Sequence, residues 1–387
     1  MHVDVIRESI LKLKAYTLEA RDSRDKLDQN ESPFDFPAAL KEEVIRRGAA
    51  HSWNRYPDFE LVRLRKALAL FHGLEMENIL VGNGSNELLL VSLATLVAPG
   101  SRLVFPSPTF TLYEKFATIL GADSRPIPLD PFSGRLPTEE ILAEVERSTA
   151  PAVIVICSPN NPTGGSLSEG DLDRLLASGA FVLLDRAYGE FGSAHLPPLH
   201  PRLITLSTFS KAWGLAGLRI GWLSTTEETC SQIRKVKLPY NLNVISEEAA
   251  IIALENPEVM EASVAHVIAE RTRVAAALGN IEGVTPYPSE SNFVAFRLAT
   301  DAKKVFAHLV TEGVLVRDIS AYPRMEGSLR VSIGTIEEND RFIDSLRRAL
   351  SQDTTRSAAF QAAVPPASSR PTYTKEDSEP LTKEKSE

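Results

Sequence analysis

The 387-residue chain contains only two cysteines, Cys157 and Cys230, too few for a disulfide framework. Cys157 closes the apolar run Val153-Ile154-Val155-Ile156 and reads as a small core side chain. No apolar stretch approaches the roughly 20 residues of a membrane helix. The N-terminus alternates charged and apolar residues without a hydrophobic leader core, so neither a span nor a signal peptide is expected. A reducing cytoplasm is the expected address. Positive charge is not in excess either: the net charge is -9, which argues against a nucleic-acid footprint yet leaves room for an anionic substrate held by local arginines. The seven histidines show no metal-ligand spacing, so no metal site is expected. No internal repeat and no Gly-x-Gly-x-x-Gly fingerprint occur.

What is present is ordinary for a soluble globular chain, 43% apolar and 24% charged, and long enough for a large core plus a second lobe. Asp58 is placed to cap a helix carrying Leu61, Leu64, Leu68 and Phe71, stopped by Gly73. Ile79 to Val81, Arg102 to Phe105 and Val153 to Cys157 read as short strands, with helices over Glu87 to Val97 and Thr109 to Leu120. Ser168-Glu169-Gly170-Asp171 resembles a capping box. Buried strands alternating with helices imply βα units and a mainly parallel sheet. From Ser246 to Gly279 two helices are expected, broken near Asn256-Pro257. Strands at Ser291 to Leu298, Val314 to Arg317 and Ser328 to Ile333, with helices at 302–312 and 337–350, form a smaller α+β lobe. The expected divisions are a large domain over 51–280, a small one over 281–350, and a tail over 351–387. That tail, with Pro365-Pro366 and Lys375-Glu376-Asp377-Ser378-Glu379, has too few large apolar side chains to offset its ordering entropy and is expected to be disordered.

Lys211 is the centre of the chemical argument. It lies in Ser207-Thr208-Phe209-Ser210-Lys211-Ala212-Trp213-Gly214, with Arg219 eight residues on. Asp185 ends the run Phe181-Val182-Leu183-Leu184, and the loop Ser158-Pro159-Asn160-Asn161-Pro162-Thr163-Gly164 lies upstream. Pyridoxal phosphate makes four demands: a lysine for its aldehyde, an anion for its pyridine nitrogen, donors for its phosphate, and a stacking partner. Lys211 fits the first and would also serve as base if its pKa is lowered. Asp185 fits the second, since ligands of open α/β sheets bind at the carboxyl ends of strands; a helix N-cap is its plainer reading. Tyr188 and Asn161 offer donors to the phenolic oxygen, although both residue types also serve packing and turns. Gly82-Asn83-Gly84-Ser85-Asn86 precedes a helix, whose N-terminus favours an anion. Thr208, Ser210 and Arg219 would complete that cup, and Phe110 would lie on the ring. In Leu329-Arg330-Val331-Ser332-Ile333 the alternation sets Arg330 opposite the apolar face, where a guanidinium suits carboxylate or phosphate. Arg317 is a second candidate anion contact.

Together these segments resemble the class I/II, fold-type I aminotransferases, and among them the histidinol-phosphate branch most. The likeness runs from Asp28-Gln29-Asn30-Glu31-Ser32-Pro33 through Asn54-Arg55-Tyr56-Pro57 to Ser328-Leu329-Arg330-Val331-Ser332-Ile333-Gly334-Thr335. It implies a mostly parallel seven-stranded sheet between helices plus the smaller lobe, with residues 1–50 folding back on that lobe. It makes Lys211 the Schiff-base lysine, Asp185 the pyridine partner, and Asn161 and Tyr188 the phenolic-oxygen contacts. Ser85, Asn86, Thr208, Ser210 and Arg219 would hold the phosphate, with Phe110 stacked. Tyr56 would reach the cofactor phosphate of the other subunit of a homodimer. Arg317, Arg330, Tyr16 and Asn30 would contact substrate, an amino donor alternating with a 2-oxo acid acceptor. Two departures stand out: Ser32 where the branch commonly has asparagine, and Arg186 where it has glutamate. An aromatic or broad-specificity aminotransferase and a threonine-phosphate decarboxylase-like lyase share most of these residues. A cofactor-sensing DNA-binding regulator would need a helix-turn-helix, and none is expected before Asn30.

Overall fold

The computed structural model describes residues 5–15 and 21–362, with side chains described through Ser351. Its strands, in chain order, are β1 Asp25–Lys26, β2 Ile79–Gly82, β3 Arg102–Ser107, β4 Asp123–Pro128, β5 Ala152–Cys157, β6 Phe181–Asp185, β7 Leu203–Thr208 and β8 Gly221–Ser224, then β9 Val284–Pro286, β10 Phe293–Leu298, β11 Val314–Leu315, β12 Arg317–Asp318 and β13 Ser328–Ser332. The large sheet has seven strands in the order β2-β8-β7-β6-β5-β3-β4. Strands β4, β3, β5, β6 and β7 run parallel, and β8 lies antiparallel to both of its neighbours. The expected α/β architecture is present.

The continuous apolar runs of β5 and β6 are explained by two covered faces. Val153, Val155, Cys157 and Leu183 pack into one hydrophobic cluster, whereas Ile154, Ile156, Val182 and Leu184 pack into another. The first cluster continues into the smaller lobe through Val294, Phe296, Leu329 and Val331. That lobe carries a four-stranded antiparallel sheet, β12-β13-β10-β9. The segment before residue 50 joins it through β1, which pairs parallel with β11.

Several boundaries differ from expectation, each for a local reason. The helix expected from Asp58 starts at Val62, because Leu61 adopts a left-handed backbone (φ 49°). The N-cap position therefore falls to Leu61, which offers no side-chain cap; Asp58, three residues ahead of it, accepts from the Val62 N–H at 2.9 Å, and Gly73 ends the helix in the left-handed conformation as expected. The helix expected from Thr109 begins at Leu112; β3 instead stays extended to Ser107, where its pairing with β4 ends. At the other end, Gly84 acts as N-cap and brings the next helix forward to Ser85–Leu96. The expected strand over 314–317 is two short pieces, one on β1 and one on β13. The last helix spans Ile336–Ala362, so the segment expected to be disordered begins as helix; residues 363–387 lie outside the described residues. The paired helices Val244–Glu255 and Pro257–Gly279 break at Asn256 as expected.

An ion pair fastens the N-terminal segment. Arg341 in the last helix donates to Asp25 of β1 at 2.9 Å, and Arg24 adds a bond at 3.1 Å. Burial alone would raise the Asp25 carboxyl, but these two guanidinium groups outweigh it and hold the group below its ordinary 3.8. A depressed carboxyl stabilises the fold above its unfolded pKa and loses that contribution as pH falls through the folded value. Asp25→Asn should therefore lower stability at pH 7 by about 1.5–3 kcal/mol, the size of a hydrogen-bonded charge, measured by urea unfolding. The difference from wild type should narrow as pH drops below 4; equal stabilities at pH 7 would show the pair to be idle.

Candidate active site

Strands β3, β5, β6 and β7 finish along one edge of the sheet, at Ser107, Cys157, Asp185 and Thr208. On the same edge β2 ends at Gly82, opposite Gly221 of β8. Register sets Cys157 beside Asp185 and Asp185 beside Leu206, so Asp185 and Thr208 project from one face. Asp185 and Thr208, both expected in the site, thus lie at strand ends, where open α/β sheets take their ligands.

Asp185 is 5% exposed. One carboxylate oxygen accepts from the Ala187 N–H at 3.0 Å, and the other from the Tyr113 hydroxyl at 2.9 Å. Burial raises its pKa, while those two neutral donors pull the other way. Among the described residues no cation pairs with it. A buried carboxylate satisfied only by neutral donors favours a cationic ligand atom.

Lys211 Nζ donates to the backbone carbonyl of Gln29 at 2.9 Å and sits 5.9 Å from the centre of the Tyr188 ring. Burial lowers its pKa to about 8, helped by the nearby Arg330 and Arg219 charges and opposed by Glu31. Tyr188 receives two amide donors at its hydroxyl oxygen, from Asn30 at 2.9 Å and Asn161 at 3.3 Å. Both lone pairs are thus engaged, and the phenolic proton is left to donate elsewhere. Burial pushes the Tyr188 pKa up, which keeps that proton in place near neutrality. Asn30 holds its position through a left-handed backbone (φ 54°) and through Ser332, whose hydroxyl oxygen accepts from the Asn30 N–H at 2.8 Å.

Arg330 is 7% exposed. It donates to the Asn161 side chain and to the Asp28 carbonyl, the latter at 2.9 Å, and its guanidinium lies 5.1 Å over the Phe293 ring. Its Nε has no hydrogen-bond partner among the described residues. Arg317 pairs with it across β12 and β13 and is half-buried, with no side-chain hydrogen bond among the described residues. Asp28, 5% exposed with an unpartnered carboxylate oxygen, has its pKa raised by burial, while Lys26 and Arg317 pull it down.

The residues expected to hold an anion approach one another from two sides. Thr208 and Ser210 hydroxyls meet at 3.0 Å, and Arg219 reaches Ser210 at 3.4 Å. Ser85 opens its helix behind Gly84, and a Cβ on Gly84 would stand 2.6 Å from Arg219 Nη2. At Gly221 a Cβ would meet the Ser85 nitrogen at 2.3 Å. Glycine at both positions is what lets the helix terminus and Arg219 converge. Asn86 is exposed beside them.

Phe110 precedes its helix and packs edge-on against Tyr113, centroids 5.7 Å apart. Tyr56 lies apart from this cluster: it is 80% exposed and stacked on Tyr240 at 4.4 Å. Tyr16 lies outside the described residues. Arg186 turns away from Asp185 and donates to the carbonyls of His195 and Ala194 at 2.8 and 2.9 Å, so its departure from the common glutamate braces a loop. Among the described residues no group of three or more metal-ligating side chains forms, and no helix is long and apolar enough to cross a membrane.

Three participants escaped sequence reasoning. Tyr113 was detectable, three residues after Phe110 and so on the same helical side. The Gln29 carbonyl carries no sequence signal. Asn160 links two loops, accepting from Thr109 at 2.6 Å and donating to the Pro108 carbonyl at 3.0 Å.

A buried lysine of lowered pKa, a carboxylate at a strand end and hydroxyls gathered with a guanidinium at a helix start sit together in an α/β fold, and comparison with known proteins makes this an enzyme of the transferase kind. The chain belongs to the aminotransferase class I and II family, whose profile matches residues 26–346. Its substrates are accordingly an amino donor and a keto acid. It is 40% identical over 352 residues to a histidinol-phosphate aminotransferase of Chlorobium luteolum, covering 89% of this chain and 98% of that one. A histidinol-phosphate aminotransferase of Pyrococcus furiosus is 38% identical, covering 90% and 99%. Among solved structures, histidinol-phosphate aminotransferase from Sinorhizobium meliloti in complex with pyridoxal-5'-phosphate superposes with a TM-score of 0.78 at 27% identity, covering 86% of this chain and 92% of that one.

The lowered lysine can be measured directly. In the ligand-free protein, Lys211 labelled by 13C reductive methylation should titrate near pH 8, below the ordinary 10.5. Between those values the unfolded chain binds more protons, so this group's contribution to stability grows as pH rises across that window. A midpoint above 10 would refute the buried, cation-flanked environment.

Proposed function

We propose that this chain is a pyridoxal-phosphate-dependent aminotransferase that converts histidinol phosphate and 2-oxoglutarate to imidazole acetol phosphate and glutamate, in histidine biosynthesis. The carrying observation is the convergence of Lys211, Asp185, Tyr188 and Arg330 on one strand-end pocket in a chain whose relatives share that name over nine-tenths of its length. The residues fit the coenzyme on their own chemistry: Asp185 has no cationic partner, and the glycines at 84 and 221 open a cup lined by donors.

Pyridoxal phosphate, when bound, supplies an aldehyde carbon for the amino group and a protonated pyridine that withdraws electrons from the substrate. Asp185 keeps the pyridine proton in place by its negative charge. Tyr188, its oxygen saturated by Asn30 and Asn161, donates its proton to the phenolic oxygen. Ser85, Asn86, Thr208, Ser210 and Arg219 hold the phosphate, and Phe110 covers the ring. Lys211 would hold the aldehyde and, as a free amine, would take the proton from the donor's α-carbon; a pKa lowered by burial to about 8 suits that role close to neutral pH. Arg330 and Arg317 bind the donor's phosphate and the acceptor's carboxylate in turn, and Asn30 and Tyr16 are assigned to the same substrate.

In the same reading the enzyme is a cytoplasmic homodimer, and Tyr56, exposed in one subunit, reaches the partner's coenzyme phosphate. Residues 1–50 serve the small lobe, 51–280 form the coenzyme domain, and 281–350 form the small domain.

Purified protein assayed with histidinol phosphate, phenylalanine and threonine phosphate, each with and without 2-oxoglutarate, decides the substrate. Turnover should need 2-oxoglutarate and favour histidinol phosphate; turnover of phenylalanine alone, or carbon dioxide release without an acceptor, would reject the assignment. Arg317→Ala should raise KM for the phosphorylated donor about tenfold or more, with the visible absorbance of the coenzyme unchanged. An unaltered KM would make Arg317 structural.

A further inference from the structure

We infer that Tyr113 is a positioning residue for the coenzyme, setting through its hydrogen bond how strongly Asp185 holds the pyridine proton. The inference rests on the coenzyme reading above and adds a residue that reading does not use.

Tyr113 is fully buried at the start of the helix Leu112–Leu120. Its hydroxyl donates to Asp185 Oδ2 at 2.9 Å, and the thiol of Cys157, on the neighbouring strand, interacts with the same phenol. Its ring stands edge-on to Phe110 at 5.7 Å and to Phe105 at 6.4 Å. One side chain therefore joins the proposed ring cover to the proposed nitrogen partner. The titratable groups around Asp185 are Tyr113 from this helix, Cys157 from β5 and Tyr188 after β6, and none is a cation. Burial pushes all three upward, so each remains protonated and neutral at working pH.

The consequence is chemical. A carboxylate with Ala187 N–H and Tyr113 O–H as its protein donors depends on each of them for its negative charge. Without the phenol, Asp185 becomes the stronger base and draws the proton from the pyridine. A neutral ring withdraws fewer electrons, and the nitrogen joined to Lys211 then keeps its own proton to higher pH. Among the described residues none replaces the phenol: Cys157 offers only a weak sulfur donor and already approaches the Pro159 carbonyl at 3.2 Å.

The test compares wild type, Tyr113→Phe, Asp185→Asn and the double variant, reading the dissociation constant for pyridoxal phosphate and the pH midpoint of the coenzyme's visible band. Tyr113→Phe should weaken binding about tenfold, the size of a hydrogen bond to a charged group, and move the midpoint upward. In the Asp185→Asn background the same change should add nothing. 3-Fluorotyrosine at position 113 keeps the shape, makes the phenol a stronger donor, and should move the midpoint downward, so the proposal is decided even if Tyr113→Phe folds poorly. Equal losses in both backgrounds, or a midpoint that neither substitution moves, would overturn it and reduce Tyr113 to packing. Wild-type protein that takes up no coenzyme would overturn the functional reading as well, whereas normal uptake with an immobile midpoint sinks this inference alone.

Discussion

A carboxylate buried with neutral partners is the constraint around which this molecule is arranged. Desolvating Asp185 costs free energy that two neutral hydrogen bonds offset only in part. The cost is tolerated where a cationic ligand completes the site, and the surroundings are built accordingly. The parallel strands bring Asp185, Cys157 and Thr208 to one edge, and the helix of Tyr113 packs down on that edge. Lys211, itself desolvated, rests on a neutral carbonyl, and no acid among the described residues neutralises it. Acid and base are kept apart in a poorly solvated pocket, so neither quenches the other.

The second dependence runs between lobes through the N-terminal segment. Residues 28–30 pass across the pocket and offer successive groups to it: the Asp28 carbonyl to Arg330, the Gln29 carbonyl to Lys211, the Asn30 amide to Tyr188. Asn292 clamps this passage by donating to the Asn30 carbonyl at 3.0 Å. The same segment is tied to the small lobe by β1 and the Asp25–Arg341 pair. A displacement of the small lobe would therefore be felt at the lysine and the phenol together, through backbone rather than through side chains alone.

Much of the fold is legible from local pattern, because buried parallel strands require apolar runs and helices require caps and stops. The errors fall where tertiary structure overrode local preference. Leu61 and Arg219 take left-handed backbones that nothing in their side chains favours, and the first of these delays a helix by most of a turn. Alternation sets Arg330 opposite the apolar face but does not reveal that β13 is covered and buries the arginine over Phe293. Arg186, next to the key carboxylate in sequence, spends its guanidinium on the carbonyls of His195 and Ala194.

By itself the sequence determined the kinds of groups available and their order: a lysine after hydroxyls, an acid ending a buried strand, glycines before a helix, arginines on short strands. Those follow from the side chains and from strand and helix periodicity, which are local properties. Tertiary structure alone decided that the Asp185 carboxylate would meet a phenol rather than a cation, that a backbone carbonyl from residue 29 would hold Lys211, and that two amides would saturate Tyr188. Hydrogen-bond partners far apart in the chain are set by how lobes pack, and no periodicity encodes them.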